Sequence, residues 1–171
     1  MPAMDSKTGK QWYLVYTKPR QEKTAQINLE RQDYRVYLPQ IWNKPRNKPR
    51  KAVPMFPRYL FIHLDQSTDN WGPIRSTMGV ISIVRFGMVP TAVPDSLIQA
   101  MQQRADSGGI VEYIGQEFRK GQSIRVKEGL FQGSEGIFLA KTGKERVAVL
   151  LQIMGQPART VLADSEIEPG S

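Results

Sequence analysis

The chain has 171 residues, 40% of them hydrophobic, a formal net charge of +8 and no cysteine. This length suits one ordinary domain or two small ones, and the lack of cysteine excludes a disulfide framework, a zinc ribbon and a thiol nucleophile. The polar start predicts no signal peptide. Apolar runs such as Val147–Leu151 are far shorter than the ~20 residues of a membrane helix. A cytoplasmic protein without membrane contact is therefore expected.

The N-terminal elements are predicted from residue propensity and hydrophobic period. Aromatic and β-branched residues make Trp12–Thr17 a strand. Arg20–Gln32 is rich in Gln, Glu, Lys and Ala and contains neither Gly nor Pro, so it is predicted to be a helix. Tyr34–Ile41 alternates apolar and polar side chains and is predicted to be a second strand.

A dense run of positive charge follows in Asn43–Ala52, which we call the basic loop. It holds five Lys and Arg residues around Pro45 and Pro49. Two prolines four residues apart exclude a helix and a central strand, so an exposed loop is expected. Two interpretations stay open: an arm that rests on nucleic-acid phosphates, or the solvated tip of a hairpin.

Four more elements complete this part of the chain. Arg58–Leu64 is predicted to be a strand, Asn70–Arg75 a helical turn, Gly79–Phe86 a strand buried on both faces, and Pro94–Arg104 a helix. This order of elements favours an α+β sandwich, in which helices pack on a sheet.

The paired glycines in Ala105–Gly109 indicate a flexible linker, and the charge changes there. Residues 1–105 carry a net charge of +9 and the remaining residues −1, an asymmetry typical of two domains with different partners. Beyond the linker, short segments that end in glycine or a turn are predicted to be strands of a small β-barrel, over 123–129, 136–143, 146–155 and 159–167.

Groups suited to catalysis are scarce in the sequence. The one histidine, His63, lies in a predicted strand, where a packed imidazole is expected rather than a general base. Asp65 and Asp69 are a pair of carboxylates of the kind a hydrolase uses, but a surface turn fits them better. No enzyme activity, metal site or cofactor is predicted.

Several motifs resemble the NusG family of transcription factors, over about residues 11–168. Trp12–Tyr16, followed by a basic helix, is similar to the start of the family's N-terminal domain, and Pro54–Leu64 resembles its Phe-Pro-x-Tyr strand. The C-terminal part resembles the family's KOW module in Gly121, Val126, Gly129, Phe131, Gly133 and Gly136. Three sequence segments look closest to specialised RfaH-type members: Leu29–Gln32, Pro54–Pro57 and Val84–Gly87.

The resemblance implies a NusG-type α/β sandwich with an antiparallel sheet at residues 11–105, a linker at 106–118 and a KOW β-barrel at 119–171. In RfaH-type proteins this module can instead fold as an α-helical hairpin that masks the polymerase site. Gly155 and Pro157 would fall inside the second helix of such a hairpin, where both are unfavourable, and Gly143 in its turn. The β-barrel is therefore expected.

The resemblance also implies a docking patch for the clamp helices of the RNA polymerase β′ subunit. The matching positions are Tyr16, Phe56, Tyr59 and Phe61, with Pro57 shaping the strand. On strand periodicity, Tyr59 and Phe61 share one face. The alternative is that all four aromatic side chains fill the core.

Contact with the non-template DNA strand is implied for Lys18, Arg31, Gln32 and Thr77, residue types that suit phosphates and unstacked bases. Two positions depart from the RfaH pattern, because Asn28 replaces a histidine and Met78 replaces an arginine. These departures count against a preference for one DNA sequence.

Together these features imply a monomeric transcription elongation and antitermination factor. It would bind polymerase, suppress pausing and termination, and offer its KOW module to the ribosomal protein NusE or to the termination factor Rho. Two alternatives stay open: a general NusG without DNA sequence specificity, and a KOW-bearing RNA-binding or ribosomal protein.

Overall fold

The computed structural model describes residues 9–112 and 135–155. The chain forms two compact units. The first unit takes the chain up to Leu38 and then Pro57–Ile98, and the second takes Pro39–Phe56 and the chain from Gln99 onward. No helix among the described residues is long and apolar enough to cross a membrane.

The strands, in chain order, are β1 (Lys10–Thr17), β2 (Arg35–Tyr37), β3 (Gln40–Asn43), β4 (Lys51–Pro54), β5 (Tyr59–Asp65), β6 (Val80–Ile83), β7 (Arg85–Phe86), β8 (Val89–Pro90), β9 (Ala92–Val93) and β10 (Ile110–Val111). The helices are α1 (Glu22–Glu30), α2 (Gly72–Arg75), α3 (Asp95–Gln103), α4 (Glu135–Leu139) and α5 (Gly143–Ile153).

The first unit is built on an antiparallel sheet in the order β2-β5-β1-β6, and β9 also pairs with β1. Alternate residues of β1 and β5 point to one face, where they form a core with Ala25 and Leu29 of α1. Ala25 and Leu29 are four positions apart, so they lie on the same side of the helix. The strand residues in this core are Tyr13, Val15, Leu60, Ile62 and Leu64.

In the second unit, β3 and β4 form an antiparallel hairpin, and β10 runs parallel to β3 on its other side. The basic loop joins β3 to β4 and is largely exposed, as predicted. It turns at Asn47, whose φ of 60° is left-handed. Asparagine tolerates this region better than most residues because its short polar side chain bonds locally.

Two strands predicted in the N-terminal part are broken in the structure. Tyr34–Ile41 splits into β2 and β3 around Pro39, because proline lacks the N–H that would continue a ladder, and the two halves pair with different strands. Gly79–Phe86 splits into β6 and β7 at Val84. The prediction that this strand is buried on both faces is wrong, since Ile81 is 40% exposed.

The start of the predicted linker is folded in the structure. The carboxylate of Asp106 accepts hydrogen bonds from the backbone N–H groups of Gly108 and Ile110 and from the indole N–H of Trp42. Ile110 and Val111 then pair with β3. The glycines of this segment therefore form a turn that leads into β10, and the division into domains at 11–105, 106–118 and 119–171 stays a prediction.

The strands predicted over 136–143 and 146–155 are wrong, because helices α4 and α5 occupy these segments. The Thr142 hydroxyl accepts the Glu145 N–H while the Glu145 carboxylate accepts the Thr142 N–H, a capping box that starts α5. Gly155 has a φ of 104° and lies beyond the last helical residue, so it ends the helix rather than interrupting it. The predicted strands at 123–129 and 159–167 lie outside the described residues.

Candidate functional site

Two of the predicted docking residues form an aromatic pair in the first unit. Tyr16 and Tyr59 are directly opposite each other on the antiparallel strands β1 and β5, and their ring centroids are 5.1 Å apart. Both side chains are partly buried. They line a recess of about 450 Å³ together with Trp71, Arg75 and Arg85. This tyrosine pair is therefore an accessible aromatic surface beside two exposed arginines.

The other predicted docking residues differ from the tyrosine pair in exposure. Phe56 and Phe61 are fully buried, and Pro57 is exposed. The rings of Phe61 and Tyr37 are stacked, with their centroids 6.2 Å apart. The structure thus brings Tyr16 and Tyr59 together at a surface but places both phenylalanines in the interior, and their role in docking stays a prediction.

Arg58 connects the tyrosine pair to α1. Its φ of 76° is left-handed, which is unusual for an arginine. Its backbone N–H donates to the Glu22 carboxylate at 2.8 Å, its Nε donates to the Thr17 carbonyl at 3.1 Å, and its guanidinium lies 4.4 Å from the centre of the Tyr16 ring. Glu22 is buried in the first turn of α1. Arg58 therefore adds a hydrogen-bonded link between the helix and the aromatic surface to the apolar packing of α1 on the sheet.

We expect Glu22→Ala to lower the free energy of unfolding by about 1–3 kcal/mol, because it leaves the Arg58 N–H without its carboxylate acceptor. Urea unfolding followed by tryptophan fluorescence measures this loss. The matched control is Glu30→Ala, an exposed glutamate of the same helix, which should change stability by no more than about 0.5 kcal/mol. Equal losses in the two variants would show that the Glu22 contact is unimportant.

The predicted DNA-contacting residues fall into two groups. Gln32 and Thr77 are in direct contact, since the Gln32 side-chain amide donates to the Thr77 hydroxyl at 2.8 Å. Thr77 is buried, and its hydroxyl donates in turn to the Pro73 carbonyl. Lys18 and Arg31 are exposed on the same unit. Thr77 is thus placed to orient Gln32, while the two cations are open to phosphate contact.

The two positions that depart from the RfaH pattern are also in the first unit. The Asn28 amide donates to the Thr24 carbonyl one turn earlier in α1, at 2.8 Å. Met78 is 68% exposed and immediately follows Thr77. The position that matches an arginine in the RfaH pattern therefore presents an apolar side chain to solvent.

Of the residues that line the recess, sequence reasoning assigned the two tyrosines to a site and missed the others, among them Trp71, Arg75 and Arg85. The indole N–H of Trp71 donates to the Asp65 carbonyl at 3.1 Å, and its ring packs edge-on against Tyr13. In the sequence these three residues are isolated cations and a tryptophan in or near short predicted elements. Their meeting with the tyrosine pair depends on tertiary packing, which no local pattern contains.

The candidate catalytic residues have structural roles. His63 packs against the Trp12 ring at 4.6 Å, and burial, together with the charges of Arg35 and Lys10, lowers the pKa of its imidazole. The Asp65 carboxylate accepts hydrogen bonds from the backbone N–H groups that follow it, and these bonds lower the pKa of its carboxyl. Both observations agree with the predicted packed imidazole and surface turn. Among the described residues, no group of three or more acidic or histidine side chains is arranged to hold a metal.

Comparison with known proteins gives one family and several relatives. The family model described as transcription termination factor nusG matches residues 10–102. The chain is 26% identical to a transcription termination/antitermination protein NusG from Halalkalibacterium halodurans, over 93% of this chain and 98% of that protein. It is 22% identical to a protein of the same name from Streptomyces galbus, over 92% of this chain and 59% of that protein, so it spans less than two thirds of that relative's length.

A solved structure described as domain interaction in Thermotoga maritima NusG is also similar. It shares 22% identity over 52% of this chain and 53% of that one, with a TM-score of 0.42.

Proposed function

The chain belongs to the NusG family of transcription factors, whose model matches more than half of its length, and from that membership we propose that it binds elongating RNA polymerase and suppresses pausing and termination. The observation that carries this proposal is the tyrosine pair beside its recess. The first unit presents two aromatic rings 5.1 Å apart, flanked by exposed arginines. Tyr, Trp and Arg are the residue types that dominate binding energy at protein interfaces.

The proposed partner of the tyrosine pair is the clamp-helix region of the polymerase β′ subunit. Phe56, Pro57 and Phe61 remain predicted docking residues, and the two buried phenylalanines would have to become exposed before a partner could contact them. In the second unit, Arg146 of α5 donates a hydrogen bond to the carbonyl of Met55, the residue before Phe56. We propose that α4 and α5 must leave this position before Phe56 can be contacted. The helical state of the C-terminal segment would then control polymerase binding.

The proposed DNA surface uses Lys18 and Arg31 for phosphates and Gln32 for exposed bases. Thr77 supports Gln32 through the 2.8 Å hydrogen bond rather than by touching DNA. Phosphate contacts fix position, and only contacts with base edges carry sequence information directly. Within this set the Arg31 guanidinium and the Gln32 amide are the groups suited to reading a base edge. The Gln32 amide nitrogen donates to the Asn28 carbonyl and the Thr77 hydroxyl, so its carbonyl oxygen is the atom that would face a base.

A general NusG without DNA sequence specificity is the second candidate. Met78 favours it, because this exposed side chain cannot donate a hydrogen bond to a base or a phosphate. The resemblance of three sequence segments to RfaH-type members favours a specialised factor that recognises a particular DNA sequence. The proposed partners of the KOW module, NusE or Rho, rest on the sequence resemblance alone.

Single-round transcription with a bacterial polymerase tests the proposed function. We expect the protein to shorten the dwell time at a strong pause, and Lys18→Ala with Arg31→Ala to reduce that effect about tenfold because two phosphate contacts are lost. The control is Lys10→Ala, an exposed cation at the start of β1, whereas Lys18 follows the end of that strand. Scanning the non-template sequence separates the two candidates, since a general factor acts on every template. Unchanged pausing with folded protein on all templates would contradict the proposal.

A further inference from the structure

We propose that the second unit contains a binding site for a phosphate-bearing anion, in a cleft between the β3–β4 hairpin with its basic loop and the helices α4 and α5. The cleft has a volume of about 490 Å³. Its aromatic and charged lining includes Trp42, Lys44, Arg50, Glu112, Lys141 and Arg146. The aromatic residues of the proposed polymerase contact do not line this cleft, but Arg146 does, and it also bonds the Met55 carbonyl.

The charge of the cleft points to an anion. Among the described residues that line it, four are cationic and Glu112 is the one carboxylate. Glu112 lies 4.0 Å from the Arg50 guanidinium, and both side chains are 54% exposed, so this ion pair is weak and leaves the cleft positive. Like charges gathered in one recess repel each other, and a bound anion relieves that repulsion.

Several groups of the cleft are already fixed in place. The indole N–H of Trp42 donates to the Asp106 carboxylate at 2.8 Å, which orients the ring, and the Arg50 guanidinium lies 3.9 Å from the ring centre. Arg146 is only 6% exposed and donates two hydrogen bonds to backbone carbonyls. The Lys44 ammonium donates to the Lys48 carbonyl at 2.8 Å and keeps two further N–H donors. The site therefore combines oriented arginines with a lysine that can still bind an anion.

Phosphate is the anion that these groups suit best. A guanidinium offers parallel N–H donors that match two phosphate oxygens, and a lysine ammonium serves as a point charge. Lys44 directly follows β3, and Lys141 lies in the connection between α4 and α5. Because both sides of the cleft supply cations, an anion that bridges them stabilises the arrangement of α4 and α5 against the β3–β4 hairpin.

Isothermal titration of the full chain with pyrophosphate, a nucleoside triphosphate and a short single-stranded oligonucleotide tests the site. We expect saturable binding of at least one probe and a loss of about tenfold in affinity for Lys44→Ala and for Lys141→Ala. The matched controls are Lys51→Ala and Lys144→Ala, neighbouring lysines that do not line the cleft, which should bind as the wild type does. Tighter binding of the triphosphate identifies a free nucleotide as the source of the phosphate, and tighter binding of the oligonucleotide identifies a nucleic-acid backbone.

Two results would overturn the proposal. One is the absence of saturable binding for all three probes. The other is an equal loss of affinity in the control variants, which would indicate diffuse attraction to a basic surface. Circular dichroism of each variant confirms that the helices are retained. Arg50→Lys provides a further check, because it keeps the charge but loses the planar group stacked on Trp42, and it should weaken binding severalfold.

Discussion

Replacing Arg146 with alanine is expected to lower the free energy of unfolding of the second unit by about 2–4 kcal/mol and to loosen α5. The guanidinium is buried and donates to the Met55 carbonyl at 2.8 Å and to the Ala140 carbonyl at 3.1 Å. Alanine removes both bonds and leaves these carbonyl groups without the arginine donors. The bond to Met55 joins residues far apart in the sequence, so its loss acts on tertiary packing.

Hydrogen exchange of the α5 amides measures this effect, and far-UV circular dichroism reports the helix content. Arg146→Lys should retain little of the stability, since an ammonium cannot reproduce the planar arrangement of donors. Lys141→Ala is the control, because this exposed lysine lies just before α5. Unchanged exchange protection in Arg146→Ala would mean that α5 is held by its apolar contacts alone.

Gly79→Ala is expected to cost the first unit about 2–4 kcal/mol of unfolding free energy. Gly79 has a φ of 91°, and an added Cβ would lie 2.9 Å from the backbone N of Ala25 and 3.1 Å from the carbonyl O of Gln21. These are backbone atoms at the start of α1, which cannot move aside as a flexible side chain would. The substitution would therefore push α1 away from the turn that precedes β6.

The matched control for this prediction is Gly87→Ala. Gly87 has a similar φ of 88°, but an added Cβ meets no atom of the described residues within 4 Å. Gly87→Ala should lower the free energy of unfolding only by the cost of holding alanine in a left-handed backbone conformation, about 1–2 kcal/mol. Urea unfolding followed by tryptophan fluorescence measures both variants. The difference between them isolates the steric contact with α1, and equal losses would contradict the account of Gly79.

The sheet and first helix of the first unit were predictable because their signals are local. β1 and β5 are rich in aromatic and β-branched residues, and α1 contains neither glycine nor proline. The break between β2 and β3 at Pro39 was not predicted, because the residues on both sides of this proline have strand propensity. A short apolar segment does not itself show which strand it pairs with.

The helical state of the C-terminal segment was an alternative that the sequence did not favour over a β-barrel, for a similar reason. Val147 and Val149 favour strands and Gly143 is typical of a turn, although Thr142 and Glu145 have the spacing of a capping box. The hydrogen bond that α5 makes to the Met55 carbonyl is a tertiary interaction that local propensity does not contain. Tertiary packing overrides weak propensities of this kind.

The types of residue in the candidate site were predictable from the sequence, but the exposure of their side chains was not. Tyr16 and Tyr59 lie together at a surface, whereas Phe56 and Phe61 are buried. Alternation along a strand gives the face that a side chain shares, but it does not show what covers that face. The arginines that flank the tyrosine pair become evident only in the folded unit.

Native-gel binding to a reconstituted bacterial elongation complex tests the central claim, that the tyrosine pair is a docking surface for polymerase. The account predicts that the wild-type chain binds, that Tyr59→Ala binds at least about tenfold more weakly, and that Arg146→Ala binds more tightly because α5 no longer holds the residue before Phe56. Tyr34→Phe, which removes only a hydroxyl bonded to the Asn70 carbonyl, should bind as the wild type does. Equal binding by the wild type and Tyr59→Ala would contradict the account. So would a failure of both the wild type and Arg146→Ala to bind.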